Sequence, residues 1–162
     1  MTSSQIRLAT DSDVAAITAL LQSCAQSMSD QGMHHWLGVY DEDSVKANLS
    51  GKKVFVLESD NAILGCIALG TEKAEYYSAC WPQAPQADFY ITQLAVSPEA
   101  QGKGYGKQLM QYCISRAGDA VIQLDAVAHY PALIAFYQSL GFSIIETGIG
   151  LGDKRHLFSL SR

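Results

Sequence analysis

Residues 89–110 read FYITQLAVSPEAQGKGYGKQLM. The opening eight are rich in aromatic and β-branched side chains, the composition of a strand. Three glycines then fall within five residues, at Gly102, Gly104 and Gly106, with Lys103 inside the run and Lys107 behind it. A helix is predicted from about Gly104 to Arg116, ending near Gly118. Strand, glycine loop and helix in this order make an anion site. N–H groups at a helix N-terminus lack intrahelical partners and carry partial positive charge. Glycine lets the backbone come close to a ligand.

Two nucleotide loops are excluded by single positions. A P-loop needs glycine five residues before its Gly-Lys pair and a hydroxyl residue after it; Gln101 and Gln108 stand there. A dinucleotide fingerprint begun at Gly102 and Gly104 needs a third glycine where Lys107 stands. The segment Gln101-Gly102-Lys103-Gly104-Tyr105-Gly106 instead fits Arg/Gln-x-x-Gly-x-Gly/Ala, preceded by Leu94-Ala95-Val96-Ser97-Pro98-Glu99. A second stretch, Ala135-Phe136-Tyr137-Gln138-Ser139-Leu140-Gly141-Phe142, follows another apolar strand. In these residues the chain resembles the GNAT superfamily of acyl-CoA-dependent N-acyltransferases. The resemblance runs from Ile6 to about Leu160 and is specific from Phe89 onward.

The remaining elements agree with it. A short strand at 6–9 leads to Thr10, an N-cap with Asp13 as its capping-box partner. Val14, Ile17, Leu20, Leu21 and Cys24 recur at helical spacing, which predicts a first helix to about Ala25. A second helix is predicted from Asp41 or Asp43 to just before Gly51. Runs 53–58 and 63–69 flank SDNA as a hairpin. Residues 71–87, with Pro82 and Pro85, read as a long irregular connection. Run 121–127 reads as a buried strand, Pro131 opens a helix that Gly141 closes, and 142–147 with 156–160 form a final hairpin pair. The expected fold is α/β, with a mixed sheet of about six to seven strands flanked by about four helices. One N-acetyltransferase domain is expected over residues 1–162.

Composition narrows the partners. A formal net charge of -5 speaks against nucleic-acid binding, which needs a basic face, and favours cationic substrates. The N-terminus has no apolar signal region, and no run has the ~20 apolar residues that span a bilayer. The four cysteines, Cys24, Cys66, Cys80 and Cys113, are scattered without a CxxC pair, as for reduced thiols in a cytoplasmic protein. No metal is expected: His34 and His35 lack further ligands at a sensible spacing.

The resemblance implies the chemistry. Acetyl-CoA would be the acyl donor, its pyrophosphate on Gln101, Gly102, Lys103, Gly104, Tyr105, Gly106 and Lys107, its pantetheine arm along Leu94, Ala95 and Val96. Lys103 and Lys107 read equally well as solvated loop charges. Tyr137 would protonate the departing thiolate; by spacing alone it is a packed aromatic. The acceptor would be a small cationic primary amine, attacking directly in a ternary complex and lined by His35, Trp36, Glu75 and Tyr76. Two departures from the family stand out. Gln93 occupies the frequent position of a glutamate base, and Tyr130 that of an asparagine contacting the cofactor. A peptide N-terminus or protein lysine as acceptor, or a non-catalytic acyl-CoA sensor, remain the alternatives. Members of the family are often homodimers; no interface is legible here.

Overall fold

The computed structural model describes residues 4–34 and 36–161. The elements in chain order are β1 (Gln5–Leu8), α1 (Val14–Asp30), α2 (Glu42–Gly51), β2 (Lys53–Ser59), β3 (Ala62–Gly70), α3 (Tyr76–Cys80), β4 (Phe89–Val96), α4 (Tyr105–Ala117), β5 (Ile122–Val127), α5 (Pro131–Ser139), β6 (Ser143–Gly150) and β7 (Asp153–Leu160). The seven strands form a sheet in the order β1-β2-β3-β4-β5-β7-β6. Pairing is parallel between β4 and β5 and antiparallel in β1–β2, β2–β3, β5–β7 and β6–β7, so the sheet is mixed as expected.

The residues gather into two compact units. The first joins the chain up to Leu69 with Thr92–Cys113; the second joins Gly70–Ile91 with the chain from Ile114 onward. In the first, Thr10 and Asp13 form the expected capping box: Asp13 Oδ2 accepts from the Thr10 N–H at 2.8 Å. The carboxylate also takes both guanidinium nitrogens of Arg7, at 2.8 and 2.9 Å. These bonds hold the Asp13 carboxyl down at about 2. Ile17, Leu20, Leu21 and Cys24 of α1 pack with Val45 of α2, Val54 and Val56 of β2, and Cys66 and Ala68 of β3. Helix α1 runs past Ala25 to Asp30 because its stop signal is Gly32, at φ +90. The last turn is merely solvated, so loss of the apolar stripe did not mark the end. Asp60 and Asn61, at φ +54 and +63, make the β2–β3 hairpin turn, a conformation Asp and Asn tolerate.

In the second unit the expected irregular connection contains α3. Burial explains it: Tyr77 and Trp81 lie one helical turn apart and both pack with Tyr90 and Leu157. Gly148 on β6 lets α3 approach, since a Cβ there would stand 2.6 Å from the Cys80 carbonyl oxygen. Helix α5 begins at Pro131 and is closed by Gly141 at φ +99, as the sequence predicts.

Candidate active site

Strand β4 is bent where the chemistry is expected. Gln93, buried in the sheet, holds φ +57, a left-handed conformation that costs a non-glycine residue about 1–3 kcal/mol. Pairing of β4 with β5 consists of Phe89 with Ile122 and Tyr90 with Gln123. Beyond Tyr90 the backbone of β4 has no β5 partner among the described residues, so its amide edge is open to a ligand with amides of its own.

Two thiols secure the bent segment. Cys66 Sγ donates to the Gln93 carbonyl at 3.4 Å, and Cys24 Sγ to the Val96 carbonyl at 3.2 Å. Burial pushes Cys66 up to about 12 and Cys24 up to about 11, so both remain thiols and act as donors. Gln101 Nε2 also donates to the Val96 carbonyl, at 3.2 Å. Gln101 therefore ties the loop back to the strand it leaves.

The glycine loop has the geometry of an anion cradle. Gly102 and Gly104 both hold φ +83, and a Cβ at either would meet no atom within 4 Å. These two are glycine for backbone conformation and open approach, with no protein neighbour demanding it. Gln108 N–H donates to the Gly104 carbonyl at 3.0 Å, the first bond of α4. The N–H groups of Tyr105, Gly106 and Lys107 precede that bond and have no acceptor among the described residues. Lys103 and Lys107 are exposed and pair with no described acid. Three free donors and two free cations suit a doubly charged pyrophosphate. Gly65 on β3 lets α4 sit close: a Cβ there would stand 2.9 Å from Leu109 Cδ1.

Tyr137 lies in the second unit. It is 8% exposed, and its ring packs on Phe136, Phe142 and Phe158. Its hydroxyl bonds to no described residue. Burial first, then the Asp125 charge, pushes the phenol well above the ordinary tyrosine range, so it keeps its proton at neutral pH. Tyr130 caps α5 through its backbone: its carbonyl accepts from the Leu133 N–H at 3.0 Å, while its side chain makes no cap.

The acceptor residues expected from the sequence fall in both units. Tyr76 is committed to Asp125, donating to both carboxylate oxygens at 2.9 Å. Glu75 is exposed at the start of α3. Trp36, in the first unit, stacks edge-on with Tyr40 at 5.4 Å. His35 lies outside the described residues.

Sequence reasoning missed the buried network around Asp125. Tyr77 donates to it at 2.7 Å, and Arg155 Nη1 pairs with it at 3.1 Å. The available signal was an acid within the otherwise apolar run of β5, Ile-Gln-Leu-Asp-Ala-Val. Among the described residues no His, Cys, Asp or Glu cluster could hold a metal ion, and no helix is long and apolar enough to cross a membrane.

Known proteins resemble this chain in sequence and fold. A family model for the acetyltransferase (GNAT) domain matches residues 50–144. The chain is similar to the Uncharacterized N-acetyltransferase YesJ of Bacillus subtilis (strain 168), with 27% identity over 140 residues, 82% of this chain and 78% of that protein. A GNAT-family acetyltransferase structure from Streptococcus agalactiae 2603 superposes with a TM-score of 0.83 at 16% identity, covering 98% of this chain and 95% of that one. The structure of yncA from Salmonella typhimurium with its cofactor acetyl-CoA gives 0.69 at 21% identity, covering 98% and 93%. At such identities the two structures speak for the fold.

Proposed function

Because this chain belongs to the GNAT acetyltransferase family, and is thereby an acyl-CoA-dependent N-acyltransferase, we propose that it carries acetyl from acetyl-CoA to the primary amine of a small cationic molecule. The observation that carries the donor assignment is the set of free N–H groups at Tyr105, Gly106 and Lys107, opening α4 directly behind a bent, half-paired strand. The pyrophosphate sits on those donors with Lys103 and Lys107 beside it. The pantetheine amides pair with the open edge at Leu94, Ala95 and Val96.

The acceptor amine attacks the thioester carbonyl in a ternary complex. Backbone N–H groups of β4 polarise that carbonyl. The C–N bond forms, the C–S bond breaks, and sulfur leaves with the electron pair. Tyr137, protonated at neutral pH, supplies a proton to the sulfur. The negative protein charge, together with the exposed Glu75, favours a cationic acceptor. Gln93 in place of an acid keeps one other reading alive, an acyl-CoA sensor without turnover.

Two measurements test the assignment together. Thiol release is followed with acetyl-CoA and a panel of diamines, amino acids, peptides and lysine-bearing proteins. Release with a small polyamine-like cation is expected; binding with no release across the panel points to the sensor, and preferential release with peptides overturns the acceptor class. Gly104→Val, whose side chain enters the open space over the loop, is expected to raise the acetyl-CoA Kd at least about tenfold while the circular dichroism spectrum is retained. An unchanged Kd removes the pyrophosphate from this loop.

A further inference from the structure

Lys52, between α2 and β2, is a half-buried cation without an acid. Its Nζ donates to Thr92 Oγ1 on β4 at 3.1 Å, one residue before the bend at Gln93. Arg7 is matched by Asp13 and Glu58, and Arg155 by Asp125; Lys52 has no carboxylate within 4.0 Å among the described residues. An amine so placed has no carboxylate to stabilise its charged form.

On the acetyl-transfer reading this is the position where the acceptor amine would arrive. With the pyrophosphate on the loop, the pantetheine arm runs back along β4. Thr92 lies four strand steps before Val96, roughly 13 Å at about 3.3 Å per step, comparable with the reach of that arm. The thioester then falls beside Thr92 and Gln93. The amine must shed a proton there, and a glutamine amide cannot take it.

Resting on the acetyl-transfer reading, we propose that Lys52 is the base that takes the proton from the acceptor's ammonium group. Neutral Lys52 Nζ receives one proton from R–NH3+, which frees the nitrogen lone pair. The amine forms the C–N bond, and the C–S bond breaks. The second nitrogen proton leaves as the amide forms and replaces the one Tyr137 gave to sulfur. Lys52 then returns its proton to solvent, so the sum is amide, thiol and one released proton.

Among the described residues, the surroundings give Lys52 no carboxylate to hold its proton. Burial lowers its pKa; the charged side chains on the adjoining elements are Glu42, Asp43 and Lys46 of α2 and Lys53 and Glu58 of β2, and no carboxylate among them pairs with Nζ within 4.0 Å. The titratable side chains on β3 and β4 are Cys66 and Tyr90.

The test is the pH profile of kcat/KM, with acetyl-CoA binding measured in parallel. Lys52→Gln is expected to lose about 10²-fold near pH 7. The gap should close as pH nears the acceptor's own pKa, where solvent has already deprotonated it. Lys52→Arg should be as slow as Lys52→Gln, because arginine keeps its proton. Thr92→Val removes a partner of the ammonium form and should move the acid limb to lower pH. Acetyl-CoA Kd should stay within about twofold in all three. Rescue by arginine would mark an anion anchor and overturn the base, as would an equal loss at every pH. An active wild type whose acid limb keeps the same midpoint in Lys52→Gln overturns this inference alone; a wild type inert with every amine overturns the acetyl-transfer reading with it.

Discussion

As the proposed acid, Tyr137 would unite two demands usually met by different residues. Its ring is core, buried among Phe136, Phe142 and Phe158, while its hydroxyl makes no hydrogen bond to a described residue. Removing that oxygen leaves no protein acceptor unsatisfied, so Tyr137→Phe should cost little stability. Its raised pKa keeps it protonated at neutral pH and rules it out as a base there. A hydrogen bond to a charged partner contributes about 1.5–3 kcal/mol, which converts to roughly a 10–100-fold fall in kcat. Acetyl-CoA Kd should move less than about twofold. Single-turnover rates with saturating acetyl-CoA check this; an unchanged rate removes Tyr137 from the chemistry and leaves it a packing residue.

At the scale of elements, local rules served where local causes act. Strand β4 matches its predicted bounds, and helix α5 starts at its proline and ends before its glycine. Helix α3 escaped because five residues between prolines and charges carry too little periodicity to register. What makes it helical is distant: Tyr77 and Trp81 bury against Tyr90 and Leu157, and β6 yields space at Gly148. Gly148→Ala tests that dependence. The added methyl would stand 2.6 Å from the Cys80 carbonyl oxygen and 3.0 Å from its Sγ, so backbone must shift. A loss of about 1–3 kcal/mol is expected, read as a lower thermal midpoint. Gly102→Ala is the control: its Cβ meets no atom, so its cost is limited to the φ of +83. Equal midpoints for Gly148→Ala and wild type would mean that α3 does not need the close approach.

For the molecule as a whole, the glycine loop and its orphan amides were legible in the sequence, and the long-range contacts were not. The glycine loop is contiguous, so its glycines, lysines and orphan amides are written in order. The Asp125 network and the Lys52–Thr92 contact join residues as far apart as 49 and 40 positions, and no local pattern announces such pairs. The bend at Gln93 was equally silent, because nothing in the letters marks a glutamine for φ +57. One global quantity does bear on the acceptor, the net charge of -5. An acidic protein draws a dication faster than a zwitterion, and the difference fades as the Debye length shrinks from about 30 Å at 0.01 M to about 8 Å at 0.15 M salt. In the proposed complex salt would also weaken acetyl-CoA binding at Lys103 and Lys107, so acetyl-CoA must be saturating throughout. Under that condition kcat/KM for a diamine should fall several-fold over this range, while that for a zwitterionic amino acid should stay nearly flat. Parallel slopes for the two acceptors would show that the field of the protein plays no part in choosing the amine.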